Sequence, residues 1–192
     1  MRKILFIICW ALAGVGLYSC SLDEPSYGKT TSDNYYQKES DIEQALTGAY
    51  LQLRTTWNEY ALNHYFVGDC STDDALKGGG NDGDRAEVRD LSDFTIYTTN
   101  GEVGRRWEIL YRLINRCNDV IYYAPDAIGN EELLKRYANE AKALRAFGYY
   151  CLVTTFREVP LITTPMQPAE ILQIPRSPLE KVYECIVNDL TD

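Results

Sequence analysis

The residues with most capacity for chemistry lie between positions 69 and 84. Asp69, Asp73 and Asp74 precede the run Gly78-Gly79-Gly80-Asn81-Asp82-Gly83-Asp84. Clustered carboxylates can hold a hard cation through oxygen ligands, and a glycine-rich turn can bare backbone N–H groups to a phosphate. Neither pattern is complete. No Lys-Ser/Thr pair follows the glycines, so this is not a phosphate-binding loop. Asp82 and Asp84 are not followed by the glycine and terminal glutamate that an EF-hand loop requires. A low-affinity Ca²⁺ site at Asp69, Asp73, Asp74, Asp82 or Asp84 is conceivable, and a solvated acidic loop accounts for the same residues. The expectation is therefore no metal and no cofactor.

Catalytic sets are equally incomplete. The single histidine, His64, lies near Ser71 in sequence, but no nucleophile-elbow motif surrounds that serine. Carboxylates are plentiful, and nothing fixes two of them across a cleft as glycoside hydrolysis demands. The chain does not read as an enzyme. Aromatic residues offer a different chemistry: tyrosine occurs 15 times against 5 phenylalanines. Trp57, Tyr60, Tyr65, Phe66, Phe94 and Tyr97 sit in or beside one long irregular segment, where aromatic faces could stack on sugar rings. Tyr111 and Tyr149 fall near helical apolar stripes and read as core or interhelix residues.

Those residues need a scaffold. The length of 192 residues allows one or two domains, and 45% hydrophobic with 24% charged residues excludes collagenous, coiled-coil and wholly disordered chains. A formal net charge of −9 argues against a nucleic-acid partner. The N-terminus carries an address: Met1-Arg2-Lys3 is basic, Ile4 to Leu17 is apolar, and this run is shorter than the ~20 residues of a membrane-spanning helix. Leu17-Tyr18-Ser19-Cys20 resembles the bacterial lipobox, in which the cysteine is acylated and becomes the new N-terminus; the competing reading is an ordinary signal cut beside an incidental cysteine. Loss of Arg2 and Lys3 would leave 17 basic against 28 acidic residues, a balance of −11. Anionic head groups repel such a chain, so its membrane association would come from acyl chains at Cys20. Asp23 and Glu24 suit either a surface-export signal or a plain acidic linker.

Behind a signal peptide at 1–19 and a lipid-anchored tether at 20–39, a helical domain is expected over 40–192. Ser40 and Glu43 form a capping box for a helix from about 41 to 55, with Ile42, Ala45, Leu46, Ala49, Tyr50 and Leu53 on its apolar face. Residues 56–100 show no sustained helical period, although Phe94, Ile96 and Tyr97 alternate as in a short strand. A second helix spans about 103–123 on the stripe Trp107, Leu110, Ile114, Cys117 and Ile121. A third spans about 131–156, its stripe including the small residues Ala138, Ala141 and Gly148, and Glu158-Val159-Pro160 ends it. After an extended, proline-punctuated loop at 160–176, Ser177-Pro178-Leu179-Glu180 opens a fourth, with Leu179, Val182, Tyr183, Ile186 and Leu190 facing inward. No C-cap signal follows Leu190, which suggests a truncated product. Cys70, Cys117, Cys151 and Cys185 lack zinc spacing. Two disulfides are compatible with a secreted chain, but the helical stripes favour core packing.

Four ordered stretches resemble the N-terminal part of the SusD/RagB family of nutrient-binding outer-membrane lipoproteins. They are Ala45-Leu46-Thr47-Gly48-Ala49-Tyr50; Trp107-x-x-Leu110-Tyr111-x-x-Ile114-Asn115-x-x-Asn118-x-x-Ile121; Glu140 through Tyr150 followed by Leu152-Val153 and Val159-Pro160-Leu161; and Ile174-Pro175-Arg176 with Val182-Tyr183 and Ile186 through Leu190. The resemblance implies a mostly α-helical, tetratricopeptide-like scaffold with long irregular loops. It also implies a surface-exposed lipoprotein, anchored through Cys20, that binds oligosaccharides or sometimes peptides. Its partner would be a SusC-like, TonB-dependent outer-membrane transporter. Within the family the region around 70–100 can contact ligand; side-chain chemistry there singles out Asp73, Asn81, Asp82 and Tyr97. A helical-repeat scaffold that only docks to the transporter is the alternative.

Overall fold

A computed structural model describes residues 35–54, 64–81 and 83–191. The segment 1–19 expected to be a signal peptide, Cys20 and the expected tether through residue 34, as well as Trp57, Tyr60 and Asp82, lie outside the described residues. The helices are α1 (Glu39–Tyr50), α2 (His64–Val67), α3 (Ala86–Ser92), α4 (Gly101–Tyr123), α5 (Glu131–Phe156), α6 (Pro168–Ile171) and α7 (Leu179–Thr191). Short 3₁₀ turns follow α1, α2 and α4. Among the described residues two isolated bridges, Lys38 with Ile128 and Val159 with Ser177, are the extended pairings recorded.

The long helices begin where asparagines can cap them. Asn100 Oδ1 accepts from the amides of Glu102 (3.0 Å) and Val103 (3.2 Å), and Asn130 Oδ1 does the same for Glu132 (3.0 Å) and Leu133 (3.2 Å). Each cap satisfies amide donors that have no partner in the first helical turn. The helices then pack by their apolar stripes. Contacts pair Arg106 with Thr155, Ile114 with Gly148 and Asn118 with Arg145, so α4 and α5 run antiparallel. A Cβ added at Gly148 would sit 3.0 Å from Ile114 Cγ1, so the glycine sets how closely the two helices approach. Helix α1 lies antiparallel to α4 and parallel to α5: Glu39 reaches Asn130, and Tyr50 reaches Glu140. Ile42, Leu46 and Ala49 of α1 share one core cluster with Leu113, Cys117, Val120, Leu134 and Ala141. Val182 and Ile186 of α7 join Leu110, Ile114, Tyr149 and Leu152 in a second cluster. This stack of antiparallel helices is the mostly α, tetratricopeptide-like architecture expected from the motifs. Cys70, Cys117, Cys151 and Cys185 are free thiols. Burial pushes the Cys117 thiol up to about 12, as befits a small apolar core residue.

Three local expectations need correction. Helix α1 starts at Glu39, and Asp41 Oδ2, in place of a Ser40–Glu43 box, accepts from the Lys38 amide at 3.0 Å. The chain is held there because Tyr36 stacks on Tyr123, with centroids 4.4 Å apart and planes 2° from parallel. Phe94, Ile96 and Tyr97 form no strand: Phe94 has φ +56°, and the amides of Phe94 and Thr95 fold back onto Leu91 and Asp90 after α3. On α7 the buried face is Val182, Ile186 and Asp189, while Tyr183 and Leu190 face outward. A buried cation, Arg145, turns Asp189 into the core.

Candidate functional site

Residues 64–100 hold a small lobe with its own core. Phe66, Cys70, Val88 and Leu91 bury one another, and Val67 and Val103 pack against them. The lobe is tied to the start of α4. Asn100 Nδ2 donates to Glu87 O at 2.9 Å while its oxygen caps α4, and Glu87 Oε1 accepts from the Gly101 amide at 3.1 Å. One asparagine thus anchors both elements. Glu102, buried at the base, faces Arg85 at 3.4 Å and Arg105 at 3.8 Å, and the Arg85 guanidinium lies 4.7 Å from the Phe66 ring centroid. The described residues of the glycine-rich run are bonded to one another on either side of position 82. Asn81 Oδ1 accepts from Gly83 N (2.9 Å) and Asp84 N (3.1 Å), Lys77 Nζ donates to Asn81 O (2.8 Å), and Gly79 takes φ +113°. Lys77 N is held by Ser92 Oγ at 3.1 Å, which fastens the turn to α3.

Several large apolar side chains of this lobe are exposed. Phe94 is 66% exposed, Tyr97 65% and Tyr65 57%, and Leu76 and Ile96 are exposed as well. After α3 the chain turns at Phe94, whose left-handed backbone a bulky residue rarely adopts, and both Phe94 and Tyr97 are exposed. Of the residues singled out from sequence, Tyr97 is among these exposed side chains. Asp73 is exposed in the turn that follows the 3₁₀ segment Asp69–Ser71. Asn81 is exposed, but its side-chain oxygen closes the glycine turn. Among the described residues no three His, Cys, Asp or Glu side chains converge as a metal site.

A second set of polar residues, unforeseen in the sequence reading, holds the extended segment after α5. Arg145 donates to both carboxylate oxygens of Asp189, at 2.8 Å from Nε and 2.6 Å from Nη2. Its Nη1 donates to Asn118 Oδ1 and to Thr163 O, each at 2.9 Å. Burial alone pulls the Arg145 pKa down, and the hydrogen bond and charge of Asp189 more than reverse this, leaving it raised. Asn118 Nδ2 donates to Ile162 O at 2.9 Å. Tyr149 OH donates to Ile162 O (2.8 Å) and accepts from Ile162 N (2.7 Å), and Tyr111 OH donates to Pro160 O (2.7 Å). A segment without secondary structure leaves its peptide groups unpaired; Arg145, Asn118, Tyr149 and Tyr111 supply the partners, and Asp189 holds Arg145 in place. They fall within the motif stretches at 107–121, 140–161 and 182–190, so those motifs encode a strut for the loop. The sequence signal was a charged or amide residue set in an apolar stripe, as Arg145 and Asn118 are.

Comparison with known proteins follows the same lines. The SusD-like family model described as "Starch-binding associating with outer membrane" matches residues 21–192. "SusD-like protein P2" of Formosa agariphila is 30% identical over 193 residues, covering 98% of this chain and 36% of its own length. Among solved structures, a "Laminarin binding SusD-like protein" superposes with a TM-score of 0.70 at 31% identity, over 80% of this chain and 33% of that one. "Surface glycan-binding protein A from Bacteroides fluxus" gives 0.65 at 28% identity, over 80% of this chain and 32% of that one. The chain spans about a third of the length of these proteins.

Proposed function

The chain belongs to the SusD-like family, and from that premise we propose that it is a surface-exposed outer-membrane lipoprotein that captures oligosaccharides for a SusC-like, TonB-dependent transporter. It binds its ligand without turning it over. The observation that carries the reading is the exposure of three aromatic residues, Tyr65, Phe94 and Tyr97, on a lobe braced by Asn100 and Glu102. Aromatic side chains have an apolar body and, in tyrosine, a polar tip, which suits the mixed faces of a pyranose. Asp73, Asn81 and Asp82 flank that surface in sequence and would supply hydroxyl partners. Cys20 carries the acyl anchor. The laminarin and glycan binding named for the two solved relatives supports a neutral glucan as first ligand to try.

Calorimetry of the full chain against laminarin and a panel of other glycans tests this. Binding is expected, and Tyr97→Ala should weaken it roughly tenfold, the equivalent of about 1.4 kcal/mol. Absence of binding to every glycan, with co-purification of a transporter, would favour the docking scaffold instead. That second reading has its own support: Tyr183, Val187 and Leu190 leave an apolar stripe exposed on α7. Cys20→Ala should release the protein from membranes; unchanged retention would refute the lipid anchor.

A further inference from the structure

One side of α4 faces the segment that follows α5, with residues that run from half-buried to exposed. Trp107, Tyr111, Asn115, Asp119 and Tyr122 follow one another at steps of four, four, four and three, and so share a side of the helix. At a rise of 1.5 Å per residue, Trp107 to Tyr122 spans about 22 Å. Opposite them runs the segment 160–172, which ends in α6 and whose start at 160–163 is held by the Arg145, Asn118, Tyr111 and Tyr149 hydrogen bonds. Two cavities lie between the helix and this segment and meet at Asn115. One, of about 370 Å³, has Trp107 and Tyr111 facing Pro160 and Leu172. The other, of about 530 Å³, has Asp119 and Tyr122 facing Gln167 and Glu170. Together they form a trough.

Its chemistry is specific. Aromatic rings stand at both ends. Asn115 is exposed at the midpoint, which leaves an amide with both a donor and an acceptor facing the trough. Asp119 and Glu170 are the charged residues lining it, and no lysine or arginine lines either cavity. Tyr36 OH donates to Asp119 at 3.2 Å, and the Glu170 carboxylate accepts from the Gln167 amide at 2.9 Å. Each carboxylate thus has one oxygen engaged and one open to a hydroxyl. An apolar lining with a few convergent polar groups is the usual make-up of a small-molecule cleft, and stacked rings beside carboxylates and an amide match the CH faces and vicinal hydroxyls of a sugar. Arg116 pulls on Asp119 without lining either cavity, so the charges that face the trough are the two carboxylates, which oppose a negatively charged ligand.

We propose that this trough is a second saccharide site, distinct from the 64–100 surface, that accepts neutral oligosaccharides and excludes uronic-acid and sulfated ones. The inference rests on the glycan-binding reading and adds a place and a charge selectivity to it.

The test is calorimetry of the full chain with neutral hexasaccharides and a uronate hexasaccharide of the same length. The neutral sugars should bind about tenfold more tightly than the uronate or better. Asn115→Ala and Tyr122→Ala, both at exposed positions, should each weaken neutral binding roughly fivefold or more, with circular dichroism unchanged. Asp119→Asn combined with Glu170→Gln should narrow the gap between neutral and uronate ligands, which a purely structural role would not do. If both trough variants leave affinity within about twofold while Tyr97→Ala abolishes binding, the trough is refuted and the glycan reading stands. Equal binding of uronate overturns the charge selectivity. A chain that binds none of the sugars overturns both readings.

Discussion

Asp189→Ala is the sharpest test of what holds the scaffold and its loop together. Asp189 accepts two hydrogen bonds from Arg145 at 2.8 and 2.6 Å, and the two side chains are only 8% and 6% exposed. Removing the carboxylate strands a guanidinium in the core, with Nε and Nη2 lacking any acceptor. Breaking a buried pair by deleting one partner costs about 3–5 kcal/mol. In a chain of this size each kcal/mol shifts the melting temperature by roughly 2–4 °C, so a fall of about 6–20 °C is expected. The companion variant Arg145→Met with Asp189→Leu removes both charges and should recover part of the loss. Recovery stays incomplete because Arg145 Nη1 also serves Thr163 O and Asn118 Oδ1, and each acceptor left bare costs about 1–3 kcal/mol. Thermal and urea unfolding followed by circular dichroism measure all three proteins. A cost below about 1 kcal/mol for Asp189→Ala, against the magnitude for a broken buried pair, would show that the network does not bear on stability and would refute this reasoning.

Two further outcomes follow from the same geometry. Tyr149→Phe removes both contacts to Ile162 from a fully buried ring and should cost about 2–3 kcal/mol, whereas Tyr111→Phe, losing one bond at a half-buried site, should cost about 1; equal losses in urea titrations would contradict the loop-strut account. Burial raises the Asp119 pKa above the usual 3.8, against the opposing pull of Tyr36 and Arg116. The folded chain therefore holds this proton more tightly than the unfolded one, so the stability contributed by Asp119 is present below pH 3.8 and lost as pH rises through the folded value. Asp119→Asn, which does not titrate, should gain on the wild type as pH rises toward neutrality; a melting-temperature difference that stays flat with pH would contradict this.

The sequence determined the helices and their order. Leu110, Ile114 and Cys117 in α4, and Leu134, Ala141, Leu144 and Cys151 in α5, recur at helical spacing, and all are buried as that spacing requires. The family was legible for the same reason, because its motifs lie on those helices. Spacing along one helix cannot reveal a partner 27 or 44 residues away, so the contacts of Arg145 with Asn118 and Asp189 emerged only in three dimensions. That contact explains why α7 turned: the pattern put Leu190 inside, but a buried cation needs a carboxylate more than the core needs another leucine. The strand expected at Phe94, Ile96 and Tyr97 failed in the same way. Alternation is a local signal, and those residues found no neighbouring edge to pair with, so the chain turned back on α3. Helix existence follows from local periodicity. The buried polar strut, the exposure of Phe94 and Tyr97, and the trough beside α4 depend on which distant residues desolvate one another, and only the tertiary structure decided those.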